Sequence, residues 1–137
     1  MNSKNIIILL EKEKNEEILD CVVPFIKEYS SNVYFLYVIE VPVKYNIEYE
    51  IGSEINIGEN VLSNVNKYLI TKKINYDLNG ENFILLQSRN AGVGVVKESK
   101  RLRADIIFYR KKKNDSNYKF QYINKHSEAD TIQLLKV

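Results

Sequence analysis

The sequence predicts an α/β fold, a three-layer sandwich in which helices cover both faces of a mainly parallel five-stranded sheet. Short apolar runs alternate along the chain with segments of helical period, and the first run, Ile6–Leu10, is apolar at every position. Such a run is typical of a strand buried on both faces of a parallel sheet. Parallel neighbours need crossover connections, which the helical segments would supply. At 137 residues, the chain is expected to form a single domain over residues 1–137.

Two elements follow the first predicted strand. Apolar residues recur at helical spacing over Glu16–Tyr29, which predicts the first helix, with Asn15 as its N-cap. Pro24 lies inside this segment, lacks a backbone donor and is expected to kink or shorten the helix. The run Val33–Val41 is dense in β-branched and aromatic residues and predicts the second strand.

The middle of the chain is less regular. Residues 43–56 have no clean period and are expected to form a loop or an irregular entry to a helix. Helical spacing resumes at Val61 and ends in two lysines at positions 72 and 73, which suit a helix C-terminus. Between Ile74 and Gln87, the pair Asn79-Gly80 separates two strand-like runs and predicts a hairpin that would double the third strand.

The last third of the chain continues the alternation. An apolar stripe over Val95–Leu102 predicts the third helix, and Ile106–Tyr109 predicts the fourth strand. A short helix carrying Phe120 and Ile123 precedes a last strand, Ile132–Leu135. Since ligand-binding loops of such sheets lie at the carboxyl ends of the strands, a site is expected after the first, second and fourth strands.

Four residues invite a functional interpretation, but a structural one is preferred for each. Gly92 and Gly94 are expected to start the third helix or to let it pack closely, because the third glycine of a dinucleotide-binding loop is missing. Cys21 is expected to be a buried thiol beside the apolar face of the first helix. His126, the only histidine, is expected at the surface near a helix end.

Composition excludes several classes of protein. One cysteine and one histidine cannot form an internal disulfide or a thiolate or histidine metal site. The longest apolar run, Val33–Ile39, has seven residues, whereas a membrane-spanning helix needs about 20. The apolar start of the chain has no signal-peptide cleavage site, and a cytosolic protein is expected. No carboxylate pair falls in an apolar segment suited to acid–base catalysis, so no enzyme class is predicted.

Charge is distributed unevenly, although the net charge is only +2. Residues 1–59 carry five lysines and eleven carboxylates, whereas residues 60–137 carry fifteen lysines or arginines and seven carboxylates. The run Arg110–Lys113 could replace a phosphate-binding loop, bind nucleic acid or form a solvated loop. The solvated loop is favoured because charge runs usually stay in solvent. Nucleic-acid binding is not expected, since it would need a wider basic face.

Three segments resemble parts of the universal stress protein family, and the resemblance depends on their order and spacing along the chain. Val33–Val41 (VYFLYVIEV) is similar to the family's second strand, and Ala104–Tyr109 (ADIIFY) is similar to its Ala-Asp tract. Val95–Asp105 is similar to the helix that leads into that tract. The resemblance spans almost the whole chain and implies a Rossmann-like, adenine-nucleotide-hydrolase-like fold with the strand order 3-2-1-4-5.

The sequence departs from the ATP-binding members of that family at two places. Glu11 stands where they have an aspartate after the first strand, and bulky residues follow it instead of small ones. After Tyr109 the chain continues RKKKNDSNYKFQYINKHSEAD, without the glycines whose backbone amides surround the phosphates. The resemblance therefore implies a protein that does not bind ATP tightly and has no cofactor.

The resemblance also implies how such a protein acts. We expect a non-enzymatic protein of the stress response that works through homodimerisation or partner association. In the family the last strand pairs antiparallel across a twofold axis, so Ile132 and Leu134 are expected in a homodimer interface.

A binding module is the alternative. It would hold ATP, AMP or a nucleotide second messenger weakly, and could serve as the regulatory domain of a transporter or sensor kinase. The residues expected to hold the nucleotide are Glu11, the backbone near Val38, Arg110 and Lys111.

Overall fold

A computed structural model describes residues 4–29, 32–111 and 117–135 of the chain. Strands and helices alternate along these residues, as the sequence predicts. The strands are β1 (Ile6–Leu9), β2 (Val33–Glu40), β3 (Phe83–Ser88), β4 (Ile106–Lys111) and β5 (Asp130–Leu135). The helices are α1 (Glu16–Tyr29), α2 (Gly52–Thr71), α3 (Ala91–Leu102) and α4 (Asn117–His126).

The five strands form one parallel sheet in the order β3-β2-β1-β4-β5. Ile6 of β1 lies beside Val33 of β2 on one side and beside Ile106 of β4 on the other. The predicted α/β class and the strand order 3-2-1-4-5 are confirmed. Because the strand order reverses at β1, a topological switch point lies between the carboxyl ends of β1 and β4, where open α/β sheets bind ligands.

Each face of the sheet carries its own hydrophobic core. Ile6 and Ile8 of β1 pack with Phe35 against α1 and α2. Ile7 points to the opposite face and packs with Ile107 against α3 and α4. All five side chains are fully buried. A central strand covered on both faces needs apolar residues at every position, which confirms the interpretation of β1.

The hairpin predicted at Asn79-Gly80 is wrong. Residues 74–82 contain a turn but no strand, and β3 begins at Phe83. Asp77 O accepts a hydrogen bond from Gly80 N at 2.8 Å, and Asp77 Oδ1 accepts one from Asn79 N at 3.0 Å. No residue of this turn has the positive φ that a two-residue hairpin loop of type I′ requires. The aspartate-stabilised turn instead leads the chain from α2 into β3.

α2 begins earlier than its apolar spacing suggests. The helix starts at Gly52 and has 20 residues, so the predicted loop is wrong for residues 52–56. Two glycines and several asparagines in this segment lower the intrinsic helix propensity and conceal the period. Packing overrides the propensity, because Gly58 lets α2 lie close to β2 and β3: a Cβ there would clash with Cδ1 of Leu85 in β3 and would be 3.3 Å from the ring of Tyr37 in β2.

α1 extends over the whole of Glu16–Tyr29, so Pro24 does not shorten it. Cys21 is exposed, and the prediction of a buried thiol is wrong. The buried stripe of α1 passes through Val22 and Ile26. Cys21 precedes Val22 by one residue, which turns its side chain about 100° away from that stripe.

Gly92 and Gly94 have both of the predicted structural roles. α3 begins at Ala91, with Asn90 as its N-cap, so the glycines lie in its first turn. A Cβ on Gly94 would lie 2.8 Å from Cβ of Ser88 in β3, which is closer than real Cβ atoms approach. Glycine at this position therefore permits the short distance between α3 and β3.

Gly94→Ala is expected to destabilise the fold by about 1–3 kcal/mol, because the added methyl group must push α3 away from β3. The matched control is Gly52→Ala, where a Cβ would meet no atom of the described residues within 4 Å. That control is expected to be neutral or to stabilise by up to about 1 kcal/mol. Urea denaturation measures both, and equal stability of the two variants would contradict the close packing.

Candidate functional site

The candidate site lies at the switch point, where two of the loops predicted to bear ligands come together. Glu11 follows β1. Arg110 lies in β4, which extends two residues beyond the predicted end at Tyr109. Phe108, two residues before Arg110, packs on the ring of Phe25 in α1. Because side chains alternate along a strand, Arg110 also points towards α1. It therefore lies beneath the loop that joins β1 to α1.

Arg110 is buried, with only 2% of its side chain exposed. Its Nη1 donates a hydrogen bond of 3.0 Å to the backbone oxygen of Lys14 and lies 3.9 Å from Oε2 of Glu11. Its Nη2 lies 3.3 Å from Oε2 of Glu17, the second residue of α1. We call Glu11, Glu17, Arg110 and the Lys14 carbonyl the switch-point cluster. The solvated loop favoured for Arg110–Lys113 is wrong for Arg110, because its charge is neutralised inside the fold.

Asn15 holds the loop that carries the cluster. Its side chain accepts a hydrogen bond from Glu11 N and donates one to Glu11 O, both at 2.8 Å. Asn15 stands at the predicted N-cap position, and its carbonyl accepts from Leu19 N, but its side chain ties down Glu11 rather than the first turn of α1. Lys14 has a φ of 64°, a conformation that is uncommon for residues other than glycine. The tight loop closed by Asn15 accounts for this φ.

The charges of the cluster determine which ligands it could accept. Arg110 faces two carboxylates, and Glu11 is largely buried, with 16% of its side chain exposed. A buried carboxylate needs a cation or hydrogen bonds to offset its desolvation, and Arg110 is such a cation. The guanidinium is thus already engaged by carboxylates at the point where an anionic ligand would need it. Turning Arg110 towards a phosphate would also break its ion pair with Glu11.

The other two predicted site residues lie at the same end of the sheet. Leu36 O accepts a hydrogen bond from Leu10 N at 2.8 Å, and backbone groups alternate in direction along a strand, so those of Val38 also face β1. The side chain of Val38 packs with the core under α3 and α4. Lys111 ends β4, and its side chain lies outside the described residues. Glu11, Val38 and Arg110 thus lie near one another, but Arg110 is already engaged.

The pKa values that are raised belong to residues outside the cluster. Burial raises the pKa of Tyr76 to about 12, next to Phe35 and Phe83 in the core below α2. The hydrogen bond from Arg101 to Glu98 on α3 raises the pKa of Arg101. These shifts follow from packing and from an ion pair within one helix, and neither places a reactive group at the switch point.

Residues 4–29, 32–111 and 117–135 show neither a metal site nor a membrane span. These residues contain no group of three or more His, Cys, Asp or Glu side chains that could hold a metal ion. Over the same ranges, no helix has the length and apolar character needed to cross a membrane. His126 is exposed at the end of α4, as the sequence predicts.

Sequence reasoning missed three members of the site. Lys14 acts through its carbonyl, which no side-chain pattern indicates. The sequence indicates a helix cap at Asn15, and no pattern in it singles out Glu17. For Arg110 a signal did exist, since extending the fourth strand by one residue places it on the same face as Phe108.

No protein-family model and no curated protein matches the chain. Solved structures do match. A universal stress protein from Archaeoglobus fulgidus aligns with 95% of this chain and 92% of its own, at a TM-score of 0.72 and 13% identity. The structure of the A. fulgidus universal stress protein in complex with dAMP covers 97% of this chain and 98% of its own, at a TM-score of 0.70 and 12% identity. The chain has the universal stress protein fold.

The same fold is seen in a universal stress protein family member from Arabidopsis thaliana with AMP bound. It covers 98% of this chain and 92% of its own, at a TM-score of 0.62 and 11% identity. Two of these three structures thus contain an adenine nucleotide. At such low identity the likeness is one of fold, and it raises the question of whether the switch point of this chain could accept a nucleotide.

Proposed function

We propose that this chain is a non-enzymatic protein with the universal stress protein fold, which acts by association and whose nucleotide crevice is closed by its own arginine. The observation that carries the proposal is the buried Arg110, which joins β4 to the β1–α1 loop through Lys14 O, Glu11 and Glu17. In this position the guanidinium is paired with Glu11 and Glu17 and is not available to a phosphate.

Displacing Arg110 would be costly. Breaking a buried ion pair by removing one partner costs about 3–5 kcal/mol, because the other charge is left without compensation. A triphosphate would, in addition, approach the carboxylates of Glu11 and Glu17. The missing glycines after β4 remove a second source of affinity, since backbone amides cannot close around a phosphate without them.

The edge strand β5 is the surface on which association is proposed. Asp130 N donates to Asp105 O, so the backbone of Asp130 faces β4 and that of Thr131 and Gln133 faces outward. Ile132 is 42% exposed, and Leu134 packs at the margin of the α1 core. Antiparallel pairing of two β5 strands would satisfy the outward backbone groups and cover Ile132 in both copies.

A weak nucleotide-binding module is the second candidate. Two observations favour it: the backbone of Val38 and the carboxylate of Glu11 both lie at the switch point, and solved structures of the same fold contain dAMP or AMP. Adenine and ribose could use these groups without displacing Arg110. In this case the chain would sense a nucleotide, as a free protein or as the regulatory domain of a transporter or sensor kinase.

Titration calorimetry with ATP, AMP and a cyclic dinucleotide distinguishes the two candidates. We expect no saturable heat with any of them, and no hydrolysis of ATP above the buffer rate. A dissociation constant in the micromolar range, about −8 kcal/mol, that is lost in Glu11→Ala would instead establish the binding module. Lys12→Ala, a change in the same loop at a residue outside the cluster, is the matched control and should bind as the wild type does.

A further inference from the structure

A groove runs between α3 and the edge strand β3, on the opposite side of the sheet from the switch-point cluster. Its cavity measures about 360 Å³, within the range of ligand sites. Gly94 permits this close approach of α3 to β3. We call it the α3–β3 groove; the lining residues that matter are Ile47, Leu86, Arg89, Val93, Lys97 and Arg101.

The groove borders a row of backbone groups that have no neighbouring strand. Asn82 O and Ser88 O accept hydrogen bonds from β2, so the even-numbered residues of this segment face β2. The backbone groups of Leu85 and Gln87 therefore point out of the sheet, where β3 is its edge. Such an edge can accept a further strand, with main-chain hydrogen bonds for affinity and side-chain pockets for specificity.

The loop that contains Ile47 and Tyr49 packs against one end of the β3 edge. The side chain of Gln87 donates to Ile47 O at 3.1 Å and to Tyr49 O at 2.8 Å, and the rings of Tyr45 and Tyr49 stack at 4.8 Å. This loop places the exposed side chain of Ile47 in the groove lining. Together with Leu86 and Val93, it forms an apolar centre for the groove.

The ends of the groove are positively charged. Arg89 donates to the carbonyls of Val41 and Pro42, and within the described ranges no carboxylate forms an ion pair with it. Lys97 is exposed on α3. The one carboxylate of the lining, Glu98, is buried and paired with Arg101. Outside the Glu98–Arg101 pair, the lining has two cations, Arg89 and Lys97, which favour an acidic occupant and oppose a second copy of the same groove, since like charges would meet.

We propose that the β3 edge binds an extended acidic peptide of a partner protein, which adds a strand beside β3 and places alternate side chains in the α3–β3 groove. An apolar side chain lies over Leu86 and Val93, and acidic side chains two residues away on either side reach Arg89 and Lys97. The proposal goes beyond the association proposed at β5, because it adds a second surface with a different partner. It uses the opposite edge of the sheet from β5 and does not depend on dimerisation.

Fluorescence polarisation tests this with a labelled, capped heptapeptide that has Glu, Leu and Glu at its second, fourth and sixth positions and Thr elsewhere. Saturable binding is expected, and Lys97→Glu should weaken it by at least about tenfold. Lys100→Glu is the matched control, because it reverses the same charge on the exposed side of α3 outside the groove lining, and it should change binding less than about twofold. Two further peptides are N-methylated, one at the odd-numbered and one at the even-numbered backbone amides. One of the two should bind at least about tenfold more weakly than the unmethylated peptide, because only one set of amides donates to β3.

Several outcomes would overturn the proposal. They are no saturable binding, an equal loss with Lys97→Glu and Lys100→Glu, or unchanged binding of both N-methylated peptides. A wild-type dimer that the peptide dissociates would also overturn it, by identifying a second copy as the occupant of the edge. Nucleotide calorimetry and the oligomeric state at β5 probe other surfaces, so the proposed function and this proposal can fail separately.

Discussion

Replacing Arg110 with alanine is expected to lower the free energy of unfolding by about 3–5 kcal/mol, the cost of removing one partner of a buried ion pair. The substitution removes the guanidinium that compensates Glu11, and it removes the hydrogen bond to Lys14 O that joins β4 to the β1–α1 loop. Urea denaturation measures the loss. It would be a large share of the total stability of a domain this size, which is about 5–15 kcal/mol.

A double-mutant cycle separates the buried pair from the exposed one. Glu11→Gln in the Arg110→Ala background removes the buried charge that has lost its ion pair with Arg110, and it should recover at least about 1 kcal/mol. Glu17→Gln should cost less than about 1 kcal/mol, because Glu17 is exposed and its ion pair is screened by solvent. A loss of stability below about 1 kcal/mol in Arg110→Ala, or no recovery of stability with Glu11→Gln, would contradict the proposal that Arg110 closes the crevice.

Replacing Ile132 with glutamate is expected to raise the dissociation constant of the homodimer by at least about 100-fold. In an interface with twofold symmetry the substitution occurs in both copies, so two carboxylates would be buried opposite an apolar strip. Analytical ultracentrifugation at micromolar protein should show the wild type at twice the chain mass of 16.0 kDa and the variant at 16.0 kDa.

Ile70→Glu is the matched control for the dimer edge. Ile70 is 51% exposed on α2, close to the 42% of Ile132, and it lies away from β5. The same change of side chain there should leave the wild-type mass unaltered. Wild-type protein that sediments at 16.0 kDa, or an equal effect of both substitutions, would exclude β5 as the dimer interface.

The types of the secondary-structure elements could be predicted from the sequence because they depend on the spacing of apolar residues within each segment. β1 is apolar at every position, and α1 and α3 show helical spacing, so their faces could be assigned without knowing their neighbours. The errors have local causes as well. The Asn79-Gly80 pair is typical of hairpins, but Asp77 uses it in a different turn, and the glycines at 52 and 58 concealed the start of α2.

The basic residues in the second half of the chain show what cannot be predicted from sequence patterns. In the sequence, the segment from Lys97 to Lys113 contains eight lysines and arginines. In the fold, Lys97 and Arg101 line the α3–β3 groove, whereas Arg110 is buried under α1. Lys97 and Arg101 therefore lie on the opposite face of the sheet from Arg110, and these three residues do not form a continuous patch for a phosphate or a nucleic acid.

The sequence alone determined the α/β alternation, a central strand buried on both faces and the lack of glycines after β4, because each depends on residue type and short spacing. Only the tertiary structure decided that Arg110 occupies the switch point. Its hydrogen bond to Lys14 spans 96 residues and depends on the register of β4 beside β1 and on the loop held by Asn15. Such a contact is set by how distant segments meet, and periodicity along the chain carries no information about it.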